Sequence, residues 1–321
     1  MEKNLVLVIN PGSTSSKVAV FREKELLRSE TIVHDVEDLK HYDSIIAQYA
    51  FRRDGVLEWY RSCGFSVEQL AAVVGRGGML RPMPSGTFEV DAGMLEDLRV
   101  GIQGDHASNL GGMISHEIAQ IAGVKAYIVD PVSVDEFEPL ARISGIPQIS
   151  RKSLLHALNV RAIAYSYSES VGKTLEQLNL IVAHIGGGIS IVPLRKGVMI
   201  DANNANEMGP FSPERVGGLP VGDVVKLAFS GTYTEKELKT AMRGKGGVAA
   251  YLGTGDLRKV QERIDAGDAE AKLVQEAMAY QIGKEIGAMA TVLNGEVDVI
   301  VLTGGAAYSK PLTEMVRDMV S

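Results

Sequence analysis

Three glycine-rich turns, each directly after a short apolar run, are the segments of this sequence best suited to bind an anion. In such a turn the backbone N–H groups can converge on a phosphate because no side chain stands in the way. A glycine turn alone is usually only a hairpin, but several in one chain favour phosphate binding. The turns are Asn10–Lys17, which contains Gly12 and Ser13, His184–Gly188 and Leu302–Gly305.

Four further side chains lie at the end of an apolar run or in a glycine turn, where α/β proteins place their sites. Each has an ordinary alternative: a surface ion pair for the arginine, a loop or interior position for the histidines, a simple turn for the aspartate. Singly the ordinary alternative is favoured, whereas together they indicate a site. They are Arg76, His106, Asp130 and His184.

Spacing excludes two common nucleotide-binding motifs. Arg243–Gly247 has the composition of a P-loop fragment, but no strand precedes it and no Ser or Thr follows its lysine. The three-glycine spacing of dinucleotide-binding folds is missing after Ile9 and after His184. A nucleotide site would therefore be built from hairpin turns between two lobes.

Short β-branched runs bounded by Gly, Asn or Pro predict strands, and apolar residues at helical spacing predict helices between them. One helix is predicted at 150–164 and a longer one at 268–293, where Gly283 and Gly287 would let it lie close to a sheet. This alternation predicts an α/β fold. The predicted strands are Leu5–Ile9, Val18–Phe21, Ala71–Val74, Ala126–Val129, Leu180–Ala183, Ile189–Val192 and Val297–Leu302.

An internal repeat relates LVLVINPGSTSSKVAVFRE near the N-terminus to LIVAHIGGGISIVPLRKG near the middle. Superposing the two aligns Asn10 with His184 and Gly12 with Gly186. Such self-similarity predicts one copy per domain, although chance similarity between two hairpins explains the pattern equally well. A chain of 321 residues fits two domains, which we expect at 1–155 and 156–321.

Composition excludes several classes of partner. A formal net charge of −7 without a basic cluster argues against nucleic acid. Cys63 is the single cysteine, so no intramolecular disulfide forms, and a reducing compartment is expected. The N-terminal apolar run is too short for a signal peptide, and no run approaches the ~20 apolar residues of a membrane span. We expect a cytoplasmic protein without a membrane partner.

A series of segments, in order and nearly from end to end, resembles the butyrate kinase family, part of the acetokinase group in the actin, Hsp70 and sugar-kinase superfamily. The resemblance implies two duplicated RNase H-like domains flanking a nucleotide cleft. It implies reversible phosphoryl transfer from ATP to butyrate or a branched relative, giving acyl phosphate and ADP. The segments are VINPGSTSSKVAVF, VVGRGGMLRP, GDHASNLGG, YIVDPVSVDEF, AHIGGGISIV, GPFSPERVGGLP, GKGGVAAYLGTGD and VLTGGAAYSK.

The resemblance implies a role for each candidate catalytic residue. Arg76 corresponds to an arginine that holds substrate carboxylate or phosphoryl oxygens. His106 and His184 correspond to histidines at the transferring group, and His156 to a structural histidine. Asp130 corresponds to the acidic residue near Mg²⁺.

The resemblance also implies which residues bind ATP or ADP. Two phosphate-facing loops, a pair of adenosine contacts and two glycines that cover the phosphates are expected. These are Asn10, Gly12, Ser13 and Lys17, then Gly186, Gly187 and Gly188, then Asp256 and Arg258, and finally Gly304 and Gly305.

Two departures from the family pattern stand out. Only Arg215 is available where acetate kinases carry a second active-site arginine. The chain also stops at Ser321, where butyrate kinases continue with a strand and a final helix, so the second domain is expected to lack both.

Some questions stay open at the level of sequence. A sugar or polyol kinase, with Asp130 as base, and a non-catalytic ATP-binding protein are the alternatives. Met79, Leu80 and Met83 could line an apolar acyl pocket or belong to the core. Relatives form dimers or larger assemblies, so a homo-oligomer is expected.

Overall fold

The computed structural model of the chain describes residues 2–321. It divides into two compact units, the first ending at Val134 and the second spanning Asp135–Ser321. This division lies earlier in the chain than the predicted one between residues 155 and 156. Residues 135–155 pack within the second unit, because the Glu138 N–H donates to the Ile200 carbonyl at 3.0 Å and Arg151 pairs with Asp201 at 2.8 Å.

The first unit is built on a six-stranded sheet of order β3-β2-β1-β4-β6-β5. The first three strands form an antiparallel meander, and β4 and β6 continue from β1 in parallel. Parallel strands end at one edge of a sheet, which therefore collects the loops after β1, β4 and β6. The strands are β1 Leu5–Pro11, β2 Ser15–Arg22, β3 Glu25–Val33, β4 Leu70–Arg76, β5 Thr87–Glu89 and β6 Lys125–Val129.

Helices cover this sheet and bury its apolar side chains. Leu7, Ile9 and Val20 from the strands pack with Val56 and Ile114 from the helices in one core cluster. The glycine at 123, in the left-handed conformation, ends the most buried of these helices. The helices are α1 Val36–Leu39, α2 Tyr49–Ser62, α3 Ala92–Val100 and α4 Asn109–Ala122.

The second unit repeats the topology of the β3-β2-β1-β4 part of the first sheet. Its four-stranded sheet has the order β10-β7-β8-β9, again an antiparallel meander whose first strand pairs in parallel with a later one. The α/β fold with a duplicated unit, predicted from the internal repeat, is confirmed. The strands are β7 Asn179–Ile185, β8 Ile189–Arg195, β9 Val198–Met199 and β10 Val299–Thr303.

A separate core fills the second unit, where Ile181 and Ile191 from the sheet pack with Ile282 and Ile286 from the longest helix. None of the helices in residues 2–321 combines the length and apolar character needed to cross a bilayer. The helices are α5 Pro139–Arg142, α6 Ala157–Ser170, α7 Val221–Ala228, α8 Glu235–Arg243, α9 Val248–Leu252, α10 Leu257–Asp265, α11 Ala269–Val292 and α12 Lys310–Val320.

Two helix predictions need correction. The helix expected at 150–164 begins at Ala157, because Arg151 is held outside it by hydrogen bonds to Asp201 and the Ala141 carbonyl. The long helix lies where it was predicted, but its glycines do not bring it onto the sheet. Gly283 faces Met319 of α12, and no atom lies within 4 Å of where a Gly287 side chain would stand.

Candidate active site

Asn10 and Arg76 meet at the carboxyl edge of the first sheet. Asn10 is the penultimate residue of β1 and Arg76 the last residue of β4. The Arg76 Nη1 donates to Asn10 Oδ1 at 3.3 Å, a long bond. Burial lowers the pKa of Arg76, but a guanidinium does not lose its proton in proteins. Within residues 2–321 no carboxylate forms a salt bridge with Arg76, so this partly buried cation is well suited to hold an anion.

Asp130 follows β6 at the same edge in a strained backbone conformation. Its φ is +38°, which costs a non-glycine residue energy and often marks a functional site. One carboxylate oxygen, Oδ1, accepts from the Ser85 hydroxyl at 2.5 Å and from the Gly86 N–H at 2.8 Å. The side chain is therefore fixed through one oxygen. The described part of the chain holds no cluster of three or more His, Cys, Asp or Glu side chains arranged for a metal.

His106 lies in the exposed loop that leads into α4. Its Nδ1 accepts the Ser108 N–H at 3.1 Å and lies 2.8 Å from the Ser108 hydroxyl. A neutral imidazole whose Nδ1 accepts carries its proton on Nε2. The opposite ring atom is thus a hydrogen-bond donor.

The first glycine turn joins β1 to β2. Its Gly12 N–H donates to the Ser15 carbonyl at 2.7 Å, which closes the turn. Ser13 is exposed, and so is Lys17, which stands opposite Asn10 in the hairpin register. The turn therefore presents hydroxyl and ammonium donors beside Asn10.

In the second unit His184 occupies the penultimate position of β7, as Asn10 does in β1. Its ring stacks on His156, with centroids 3.9 Å apart and planes at 14°. The His184 Nδ1 lies 2.7 Å from Asn159 Oδ1, and the His156 Nδ1 lies 2.9 Å from the Ser190 hydroxyl. Because the Asn159 atom facing the ring is assigned as the amide oxygen, which accepts, Nδ1 of His184 carries the proton. The His184 ring is thus held by a stack and a hydrogen bond.

The second glycine turn is held from one side by the loop after residue 211. The Ser212 hydroxyl donates to the Gly187 carbonyl at 2.6 Å, and the Gly186 N–H donates to the Gly188 carbonyl at 3.1 Å. The Arg215 guanidinium packs so closely on Gly188 that a side chain there would overlap it. Arg215 also donates to the Ala205 carbonyl at 2.9 Å, and burial lowers its pKa. Arg215 thus stands at the second turn.

The Leu302–Gly305 turn lies beside the end of β7. Gly304 has a φ of +89°, and a side chain there would overlap the backbone of Ile185. β10 and β7 pair in parallel, with Thr303 opposite His184. The structure therefore brings the last two glycine turns to one edge of the second sheet.

Asp256 and Arg258 form a pair at the start of α10. Asp256 caps the helix by accepting the Arg258 N–H at 3.0 Å, and its other oxygen accepts Nη2 of Arg258 at 2.8 Å. These hydrogen bonds from Arg258 lower the pKa of Asp256 to about 2. Arg258 is exposed and Asp256 half-buried, so the pair presents mainly the Arg258 guanidinium to a polar ligand.

Two segments considered from the sequence have packing roles. The P-loop-like segment supports the second glycine turn indirectly, since the Gly246 N–H donates to the Glu214 carbonyl at 3.2 Å. Leu80 is only 3% exposed and Met83 packs against the same core. Of the possible acyl-pocket residues, two therefore belong to the core of the first unit.

Several contacting residues carry no signal in the sequence. Asn159 is an ordinary position in a helix, Ser190 lies within a strand, and Ser85 lies in a loop 45 residues from the aspartate that it contacts. Only the folded chain shows that they orient His184, His156 and Asp130.

Each unit has a glycine turn at the corresponding edge of its sheet, with Arg76 near the first turn and His184 directly before the second. Such turns suit a protein of the phosphoryl-transferring class, in which positioning and charge do most of the work. The chain belongs to the acetokinase family, whose sequence profile matches residues 149–318.

Individual relatives agree with this assignment. The chain is 54% identical to a probable butyrate kinase 2 of Caldanaerobacter subterraneus subsp. tengcongensis over 316 residues, which cover 98% of this chain and 89% of that protein. It is 50% identical to butyrate kinase 2 of Clostridium acetobutylicum over 317 residues, again 98% and 89%. Family and relatives indicate carboxyl-group phosphotransferase activity.

The fold agrees as well. The crystal structure of Porphyromonas gingivalis acetate kinase superposes with a TM-score of 0.80 at 21% identity, covering 98% of this chain and 86% of that one. The expected fold of the acetokinase group is therefore confirmed.

Proposed function

We propose that this enzyme transfers the γ-phosphoryl group of ATP to butyrate or a close short-chain relative, giving an acyl phosphate and ADP. The observation that carries the proposal is Arg76, a partly buried guanidinium beside a glycine turn, with one long hydrogen bond and no salt bridge within residues 2–321. Butyrate is favoured because two relatives with that name are at least 50% identical to this chain.

The proposed mechanism relies on positioning. A short-chain acid, with a pKa of about 4 to 5 by analogy with Glu, is already ionised at neutral pH and needs no general base. The obstacle is repulsion between the carboxylate and the triphosphate. Arg76 would hold the oxygens with its planar fork, while His106 and His184 would donate to phosphoryl oxygens.

The nucleotide would be held by the glycine turns. Backbone N–H groups of Gly12–Ser13 and Gly186–Gly188, with Lys17, would bind the phosphates. Asp256 and Arg258 would contact the adenosine, and Gly304 and Gly305 would cover its phosphates.

Asp130 is the residue that would hold Mg²⁺. Its fixed carboxylate fits a cation that keeps several waters and takes only one or two protein carboxylates. The ion, when bound, would neutralise charge on the phosphate oxygens.

The test is formation of a hydroxylamine-labile product from ATP, Mg²⁺ and a panel of acetate, propionate, butyrate, isobutyrate and valerate. Acyl hydroxamate should form fastest with butyrate or isobutyrate. Glycerol and glucose serve as controls, because phosphorylation of a hydroxyl gives no hydroxamate. Failure of every acid in the panel would sink the proposal.

The proposal also includes the location of the protein and its oligomeric state. A cytoplasmic location is supported by the single cysteine, Cys63, which fits a reducing compartment. Assembly into a homo-oligomer is proposed by analogy with the relatives.

A further inference from the structure

A buried arginine lies directly beneath the first glycine turn. Arg52, in the first half of α2, is 1% exposed. Its Nη1 and Nη2 donate to the carbonyls of Gly12 and Ser13, both at 2.7 Å, and Nη1 also reaches the Ser15 carbonyl at 3.3 Å. The guanidinium thus holds three carbonyls of one turn.

The remaining carbonyl of the turn is also directed into the protein. The Thr14 carbonyl accepts the His34 N–H at 2.9 Å. Every carbonyl from Gly12 to Ser15 therefore has an internal donor. By contrast, the backbone N–H groups of Ser13 and Thr14 donate to no acceptor within residues 2–321. A turn with its carbonyls held on one side and N–H groups left on the other is an anion-binding nest.

The charge of Arg52 is not balanced locally. Among residues 2–321 its one side-chain hydrogen-bond partner is the neutral amide of Gln48, whose Oε1 accepts Nε at 3.0 Å and Nη2 at 2.8 Å. No carboxylate forms a salt bridge with Arg52 in the described part of the chain. Arg161 and Arg151 of the second unit differ, since Arg161 pairs with Glu136 and Arg151 with Asp201. A buried cation without a counter-charge is costly unless an anion is nearby.

We propose that Arg52 is a positioning residue for nucleotide binding: it fixes the Gly12–Ser15 turn with its N–H groups outward and supplies the positive charge that a bound polyphosphate neutralises. This inference rests on the proposed function, because it takes the anion to be the phosphates of ATP or ADP. Arg52 touches the loop and not the ligand, so it acts through the backbone.

The decisive variant is Gln48→Glu, which gives Arg52 a carboxylate partner of the same shape. It should fold with wild-type thermal stability, yet bind ATP and ADP about tenfold more weakly, because the spare charge is already paired. Adenosine, which has no phosphates, should bind with unchanged affinity. A purely structural role predicts no loss for this variant, because the turn would be held as before.

Arg52→Lys is the companion variant. A lysine keeps the charge but lacks the planar fork that spans several carbonyls, so the ratio of ATP to adenosine affinity should again fall about tenfold. Val56→Ala is the matched control, because Val56 is fully buried one turn along the same helix and is part of the apolar core of the first unit. It should lower thermal stability and leave that ratio unchanged.

Isothermal titration of wild type and variants with ATP, ADP and adenosine gives a separate answer for each claim. An unchanged ATP-to-adenosine ratio in Gln48→Glu overturns the role of Arg52, whether or not Arg52→Lys folds. A wild type that binds ATP but forms no acyl hydroxamate overturns the proposed function and leaves Arg52 standing. A wild type with no preference for ATP over adenosine overturns both.

Discussion

Within residues 2–321, Arg52 and Arg76 are the arginines of the first unit that are buried or partly buried and form no salt bridge with a carboxylate, and they differ in what they contact. The N–H groups of Arg52 donate to backbone carbonyls and to a neutral amide. Most N–H groups of Arg76 make no hydrogen bond within residues 2–321, where its guanidinium makes a single long bond, to Asn10. A guanidinium with uncommitted donors at a sheet edge is suited to bind an anion, whereas one whose donors are committed to backbone carbonyls holds a loop in place.

Replacing Arg76 by lysine should therefore impair the reaction although the charge is kept. Lysine offers a point charge in place of two parallel donors, so kcat/KM for the acid should fall by about 100-fold. Steady-state kinetics in the hydroxamate assay measure this, with thermal unfolding to show that the variant folds. Arg81→Lys is the control, because Arg81 is 72% exposed in its side chain and pairs with Asp97. A value for Arg76→Lys within threefold of wild type would contradict the role.

His34 should make stability depend on pH. Burial, and then the charge of Arg52, lower the pKa of His34 from 6.5 to about 4. Between pH 4 and pH 6.5, His34 is therefore protonated in the unfolded chain and neutral in the folded chain. The contribution of His34 is therefore fully present above pH 6.5 and is lost as the pH falls to 4, by about 3 kcal/mol at most.

Urea unfolding at pH 7 and pH 4.5 tests this expectation. His34→Gln should reduce the loss of unfolding free energy between the two pH values relative to wild type. His41→Gln should not, because His41 is exposed. Equal pH dependence in wild type and His34→Gln would rule out the assigned pKa.

The sequence predicted site residues that lie close together along the chain, but not those whose contacts are with residues far away in the sequence. Gly12, Ser13 and Lys17 share one turn, so their proximity follows from the chain itself. Arg52 lies 37 to 40 residues from the carbonyls that it holds, and an arginine in a helix is ordinarily a surface residue. Only the packing of α2 under the turn gives it a role.

At the scale of elements, the apolar character of a segment decided how well it was predicted. The buried strands β1, β4, β6 and β7 were predicted because their side chains are apolar and β-branched. The edge strand β3 was missed, since nearly all of Glu25–Val33 is exposed and its sequence lacks apolar alternation. A strand held mainly by its hydrogen-bonded neighbour has little side-chain signature.

The turn after β10 allows a sharp test at this scale. Gly304→Ala places a side chain against the backbone of Ile185 at a φ of +89°, so unfolding free energy should fall by about 2 to 4 kcal/mol. Gly305→Ala is the neighbouring control, because no atom lies within 4 Å of its added carbon and its φ is unstrained. Thermal unfolding should separate the two variants clearly. Equal stability would mean that the turn is not held against β7.

At the scale of the molecule, the sequence indicated the duplication of the fold more clearly than the position of the boundary between the two units. The repeat in the sequence corresponds to the shared strand order of β3-β2-β1-β4 and β9-β8-β7-β10. The boundary was expected within 147–167 because a bridging helix was predicted there. Residues 135–155 carry few apolar side chains with a clear period, and their place in the second unit follows from ion pairs such as Arg151 with Asp201 and Glu138 with Arg195. Such contacts are not readable from local sequence.

Separate cores predict separate unfolding. Leu7 is fully buried in the first core and Ile282 in the second, and no residue is shared between the two clusters. Chains with more than one core often unfold in more than one step. Leu7→Ala and Ile282→Ala should each cost about 2 to 5 kcal/mol in their own unit. Calorimetry should then show two transitions, each variant lowering a different one. If both variants shift a single transition by the same amount, the two units unfold as one cooperative body and the expectation is wrong.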